Sequence, residues 1–354
     1  MDFLVQSGMY ISVYLTIICF FSLVVFFYTL CNSSFNETPS PRLNFIVFLL
    51  FVIILLFVGF RPISYYFVDM GNYYQSFKIM VASIHDGNVL NLKGDYLFNT
   101  LMAFFALFNQ PILFFFCCYL IYAACHFFAL RKWFTYYWAY PLVLMMGSAF
   151  YYAYGVNGIR NGMACSIFLL GLSQQGIRRW LLFLIAFNFH SSLLLPIASV
   201  LVFSRYENIY AYIYIWCTCL FISLITPGMT QWLAELSIFN DKFAGYALGN
   251  DGRFRVDFIL YSVLPIIIGL FFIIKYKFND LIYNEILSVY MICNAFWLLV
   301  IRIPFSNRFV YLSWFMYGLV IAYPFVKSNC FRYQNRYAAF ILLLLLMFNV
   351  VFLY

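Results

Sequence analysis

Residues 178–207 read RRWLLFLIAFNFHSSLLLPIASVLVFSRYE. The run is apolar enough to lie in a membrane, where each helical crossing takes about 20 residues. Arg178 and Arg179 stand at one end, Arg205 stands at the other, and the polar NFHSS sits between them. Basic loops favour the cytoplasmic side, so both ends belong on one face. A run whose ends share a face must turn back. Residues 180–203 therefore read as a re-entrant hairpin with NFHSS near its tip. Irregular backbone at that depth is tolerated only where protein or a water-filled cavity surrounds it. The plain alternative is an ordinary helix, with the later loops flipped against the charge bias.

The rest of the chain supports a membrane setting. Of 354 residues, 66% are hydrophobic and 9% are charged, against roughly 25% charged in a soluble domain. The mean hydropathy is +0.92. No soluble fold of this length could hide so much apolar surface. The expected fold is an all-α polytopic integral membrane protein with about 10–12 transmembrane helices. Apolar runs lie near 10–31, 43–60, 111–130, 136–154, 160–176, 208–226, 257–274, 283–301, 308–326 and 337–354. The first lacks a basic n-region and a small-residue cleavage site, and so reads as a retained span.

No repeat or linker divides residues 1–354, so a single transmembrane domain is expected, with outer loops 61–110 and 227–256 and both termini outside. The 46 Phe and 31 Tyr suit hydrocarbon and interface, although nucleotide bias in the gene accounts for them equally well. The net charge of +8 is spread over short loops. It forms no clustered basic surface of the kind nucleic acid requires. The ten cysteines contain no CxxC pair and read as small buried hydrophobes.

Polar residues gather on the expected outer side. Arg160 opens an apolar helix, GIRNGMACSIFLLGL, with no acidic residue within ten positions. Asn157 and Asn161 share its face by helical spacing. The loop after the second span supplies Arg61, Asp69, Tyr73 and Tyr74, and NDGRFRVD supplies Arg253 and Arg255. Arg302 and Arg308 flank a proline break in VIRIPFSNRFVYL. Many arginines with few acids suit a phosphate-bearing ligand, because guanidinium groups grip phosphate bidentately.

Each residue also has a plainer reading. Arg302 and Arg308 could snorkel. Arg253 and Arg255 could pair with Asp251 and Asp257, and Asp69 could cap a helix. His190, in the hairpin tip, is either a hydrogen-bonded structural residue or a proton acceptor suited to near-neutral pH. His85 and His126 read as structural. Metal chemistry is not expected, because paired carboxylates of the kind that hold Mg²⁺ between phosphates are lacking.

Three stretches carry a resemblance: FRPISYYFVDMGNYYQSF (60–77), GIRNGMACSIFLLGL (158–172) and RRWLLFLIAFNFHSSLLLP (178–196). They look like the EpsG/Wzy group of bacterial polysaccharide polymerases. That group has an arginine–aspartate–tyrosine outer loop, an IRQ-type helix start, a basic turn and an A..FH.S segment. NRFVYLSWFMYGLVIAYPF (307–325) extends the likeness loosely over most of the chain. Asn161 stands where the group has glutamine, and Val68 stands where it has a glycine before the loop aspartate.

The resemblance implies polymerisation of O-antigen or capsule repeat units at the periplasmic face of the inner membrane. The growing glycan would pass from one undecaprenyl pyrophosphate carrier to an acceptor sugar, with no cofactor, metal or nucleotide sugar. Arg160, Arg302, Arg308, Arg61, Arg253 and Arg255 would bind pyrophosphate. Tyr73, Tyr74, Asn157 and Asn161 would contact the substrate, and His190 or Asp69 would act as base. Lipid-linked oligosaccharides, membrane lipids and a chain-length regulator protein are the partners expected. A lipid-linked oligosaccharide flippase and a polysaccharide acyltransferase are the rival readings. The chain lacks the former's two-half symmetry and the latter's histidine signature.

Overall fold

The computed structural model describes residues 1–31, 41–88, 90, 92, 94–226, 254–303 and 306–353. Every regular element among them is helical. Lipid imposes this, since a helix satisfies its own backbone polar groups. Seven of the described helices are long and apolar enough to cross a membrane. The protein is thus an all-α, multi-pass membrane protein.

The chain forms two compact units. The first holds Met1–Leu193 with Phe325–Tyr354. Its helices are α1 (Asp2–Gln6), α2 (Tyr10–Cys31), α3 (Pro41–Gly59), α4 (Val68–His85), α5 (Tyr96–Leu107) and α6 (Pro111–Phe134). They continue with α7 (Ala139–Met146), α8 (Ala149–Val156), α9 (Ile159–Leu172) and α10 (Gly176–Phe189). The second unit, Leu194–Pro324, contains α11 (Leu194–Arg205), α12 (Ile209–Ile225), α13 (Val256–Leu270), α14 (Leu281–Leu299) and α15 (Asn307–Trp314). Helix α16 (Tyr317–Lys327) runs out of it through Pro324, and α17 (Gln334–Leu353) returns to the first unit. No shift in composition marks either boundary.

The expected span at 136–154 is broken. Residues 136–154 form α7 and α8, which part at Gly147 and Ser148. Ser148 Oγ accepts from the Tyr151 N–H and so caps α8, as serine commonly does. The Tyr14 hydroxyl donates to the carbonyl of Met146, the last residue of α7, at 2.8 Å. A break at this depth stands because both of its loose ends are satisfied.

Buried tyrosines repeat that device. Tyr10 donates to Phe57 O near the end of α3, and Tyr140 donates to Ala338 O. In the second unit Pro324 has no N–H to offer Val320 O, four residues earlier. The Tyr283 hydroxyl takes that carbonyl at 3.1 Å. Part of the tyrosine content is therefore structural: the hydroxyls serve carbonyls that no water could reach.

In the first unit α9 is buried on nearly every side, between α6 and α10. Helix α10 packs one face on α9, where Phe183 stacks on Phe168 at 4.7 Å. Its other face exposes Ile177, Leu181 and Leu184. In the second unit α14 is central, against α11, α12, α13 and α15. There Trp216 Nε1 donates to Asn294 Oδ1 at 2.8 Å, and Asn294 Nδ2 donates to Ser313 Oγ at 3.1 Å.

Candidate functional site

The arginine at the mouth of α9 is presented by a tight turn. Helix α8 ends at Val156 and α9 begins at Ile159, so Arg160 falls in the first turn. Gly162 permits the close approach. A Cβ there would stand 2.4 Å from the backbone oxygen of Tyr154. A cation at a helix N-terminus works against the helix dipole, which favours anions. Guanidinium and first-turn N–H groups together make this mouth strongly attractive to negative charge.

What Arg160 meets lies far along the chain. Its Nη1 donates to Asp95 Oδ2 at 2.7 Å, and its Nε donates to the Tyr73 hydroxyl at 3.4 Å. The guanidinium carbon lies 5.5 Å from the centre of the Tyr73 ring and 5.8 Å from that of Phe98. This is cation–π range. About two fifths of the Arg160 side chain, 42%, remains exposed, against 12% for Asp95.

Asp95 occupies the N-cap position of α5 without capping it. An aspartate there usually accepts from its own helix. Instead Oδ2 takes Arg160, and the backbone N–H of Ser191 bonds to the carboxylate. Oδ1 lies 3.4 Å from His190 Nδ1. Burial pushes this carboxyl up, but His190, Arg160 and Ser191 outweigh it and hold the group below the usual carboxylate range. Asp95 is ionised at neutral pH.

His190 ends α10. Its backbone is extended, and a short 3₁₀ turn, Ser191–Leu193, follows. The NFHSS segment thus breaks the helix and turns the imidazole toward Asp95. The 3.4 Å contact is long for a hydrogen bond, and Nδ1 has no closer partner among the described residues. Asn161 ties this turn to α9, since its Oδ1 accepts from Ser192 Oγ and from Cys165 Sγ, each at 3.4 Å.

The other residues expected from the sequence scatter. Asp69 lies in the first turn of α4, close enough for its charge to act on both Arg160 and Tyr73. Tyr74 instead carries Lys78, whose Nζ is 4.6 Å from the ring centre. Among the described residues Asn157 Oδ1 is buried without a hydrogen-bond partner.

Arg61 is buried and donates to Val58 O and Val156 O at 2.9 and 3.1 Å. It caps the ends of α3 and α8, and it is a strut. Arg302 Nε, in the second unit, is buried without a hydrogen-bond partner among the described residues, and its guanidinium lies 4.8 Å from the Phe254 ring centre. Arg308 is exposed on the first turn of α15. Arg255 grips Asp257 with two nitrogens, at 2.9 and 2.6 Å. Arg253 and nearly all of the 227–256 stretch lie outside the described residues.

Asp95 is the residue that sequence reasoning missed. A weak signal existed: an acid directly before an apolar helix, in a chain with only 12 Asp and Glu. His126, by contrast, is buried with Nδ1 2.8 Å from Tyr122 O, a structural contact within α6. Residues from α4, α5, α9 and the turn after α10 thus bring one guanidinium and one imidazole to the Asp95 carboxylate, with Asp69 acting on the guanidinium from α4.

No curated protein and no solved structure matches the chain. The family model that does match, EpsG family, covers residues 44–354, and the chain belongs to the EpsG family, as a multi-pass membrane protein of polysaccharide-polymerase type.

Proposed function

We propose that the protein polymerises repeat units carried on undecaprenyl pyrophosphate, at the periplasmic face of the bacterial inner membrane. The observation that carries this reading is the convergence of Arg160 and His190 on Asp95. An exposed guanidinium and an imidazole, a few ångströms from one carboxylate, supply the two parts such a transfer needs.

In the reaction, an acceptor sugar hydroxyl attacks the anomeric carbon of the growing glycan. The bond from that carbon to the diphosphate oxygen breaks, and undecaprenyl pyrophosphate leaves with the electron pair. Arg160 neutralises the charge that builds on the leaving group. Its Nη1 and Nε are engaged by Asp95 and Tyr73, so a diphosphate meets Nη2 first and gains the two-nitrogen grip as it draws the guanidinium off one of them. His190 takes the hydroxyl proton on Nε2 and later returns it to water. The Tyr73 hydroxyl can donate to a sugar or phosphate oxygen, and Asn157 Oδ1 can accept from a sugar hydroxyl. Asp69 is the alternative base. Guanidinium groups fill the charge-neutralising role, so the reaction is proposed as metal-independent. A chain-length regulator protein is the proposed partner in the membrane.

The test is turnover of lipid-linked repeat units by the purified protein in liposomes. His190→Ala is expected to slow transfer by roughly 10²–10⁴-fold, the usual contribution of a positioned base, with carrier binding retained. His190→Gln keeps a hydrogen-bonding side chain and is expected to be equally slow. Near-normal turnover by the glutamine variant would move the base to Asp69. In a deletion strain, a lipopolysaccharide gel with a single-repeat band supports a polymerase. A gel with no repeat supports the flippase reading.

A further inference from the structure

Asp95 touches both Arg160 and His190. It is an anion resting where an anionic ligand would bind. Its Oδ2 takes Arg160 Nη1 at 2.7 Å, while Oδ1 stays 3.4 Å from His190 Nδ1. The carboxylate is therefore committed to the guanidinium and only loosely engaged with the imidazole.

We infer that Asp95 is a positioning residue that anion binding at Arg160 hands over to His190. With Arg160 on Asp95, the guanidinium cancels much of the carboxylate charge felt by His190. A diphosphate on Arg160 takes over that cancellation. Asp95 is then free to close on Nδ1–H, which fixes the tautomer with Nε2 bare and makes Nε2 more basic. The base is strengthened only when the leaving group is in place. The inference rests on the reading of Arg160 as the diphosphate contact.

The surroundings leave few competitors for this role. Helices α9 and α5 and the 3₁₀ turn pack against α10. Among the described residues, the charged groups facing the imidazole from them are Asp95 and, behind it, Arg160. Asp69 and Tyr73 act from α4, through Arg160. The turn itself contributes the Ser191 N–H to Asp95, an anchor that keeps the carboxylate beside the imidazole when Arg160 is drawn away. The carboxyl is held below its usual range, so it stays charged throughout the interval in which an imidazole titrates.

The experiment reads His190 directly. The chain has three histidines, so imidazole carbon-bound proton resonances of the full-length protein in detergent are resolvable, with His190→Gln assigning the signal. Inorganic pyrophosphate is the probe. In the wild-type protein, pyrophosphate is expected to raise the titration midpoint of His190 by roughly one pH unit, the scale of a newly uncompensated carboxylate at this distance. In Asp95→Asn the ligand acts on His190 through its own charge alone, and the rise is expected to be clearly smaller than in the wild-type protein.

Equal shifts in the two proteins would mean that the ligand acts on His190 without Asp95, and would overturn the inference. Arg160→Gln gives an independent reading should the asparagine variant fail to fold. It frees Asp95 without any ligand, and the midpoint should rise by a similar amount. An unmoved midpoint overturns the handover. Failure of the underlying reading looks different: pyrophosphate binding, followed by calorimetry, would then be absent or indifferent to Arg160→Lys.

Discussion

Arg160 Nη1 and Asp95 Oδ2 lie 2.7 Å apart across 65 positions of sequence. Among the described residues neither has an oppositely charged partner close by in the chain, and each resolves an oddity in the other. The arginine sits at a helix end that repels cations, and the aspartate sits at a cap that it does not form. Their meeting gives the guanidinium an anionic partner from a distant part of the chain.

The first prediction concerns geometry as against charge at Arg160. Arg160→Lys keeps the positive charge but loses the planar fork, which a diphosphate engages with two bonds. Turnover of lipid-linked repeat units should fall by at least about tenfold, and Arg160→Ala should fall further. The amount of folded protein should not change, because the side chain is 42% exposed. A fully active lysine variant would mean that the residue serves only as a lipid-facing cation.

How far the site could be read in advance follows from what each residue's environment depends on. Membrane class and all-helical architecture were legible, because hydropathy is a property of composition. The break at His190 was legible too, since NFHSS cannot continue an apolar helix without cost. The pairing of Asp95 with Arg160 was not. It depends on where α5 and α9 meet, and nothing local in either segment encodes that meeting. The division of 136–154 into α7 and α8 was hidden for the same reason: it needs Tyr14, from a distant helix, to satisfy Met146 O.

The second prediction concerns Arg61, which the sequence groups with the outer arginines and the fold buries. Its guanidinium satisfies Val58 O and Val156 O, carbonyls at the ends of α3 and α8. Such orphan groups need a partner when water is absent. Arg61→Ala should destabilise the protein by about 1–3 kcal/mol for each carbonyl left bare. Thermal unfolding in detergent should therefore shift clearly downward, and Arg61→Lys should shift it less. Specific activity of the protein that does fold should stay within about twofold, since stability effects of this kind act on the folded fraction. Full stability with lost turnover would instead put Arg61 in the substrate path.

The third prediction separates two arginines of the second unit. Arg255 is spoken for: it holds Asp257, two residues on, through a bidentate pair in which both side chains are exposed. Surface pairs of this kind contribute about 0–1 kcal/mol, so Arg255→Ala should leave the polysaccharide ladder unchanged. Arg302 is different. Among the described residues its Nε is buried without a hydrogen-bond partner, and its guanidinium rests against Phe254. A half-buried cation left in this state is costly unless an anion comes to it. Arg302→Ala should therefore shorten or abolish polymer while the protein level in the membrane holds steady. Gels of surface polysaccharide from strains carrying each variant compare the two directly. An intact ladder in Arg302→Ala would assign that side chain to the lipid interface, and a lost ladder in Arg255→Ala would show that its pair with Asp257 opens to admit the substrate.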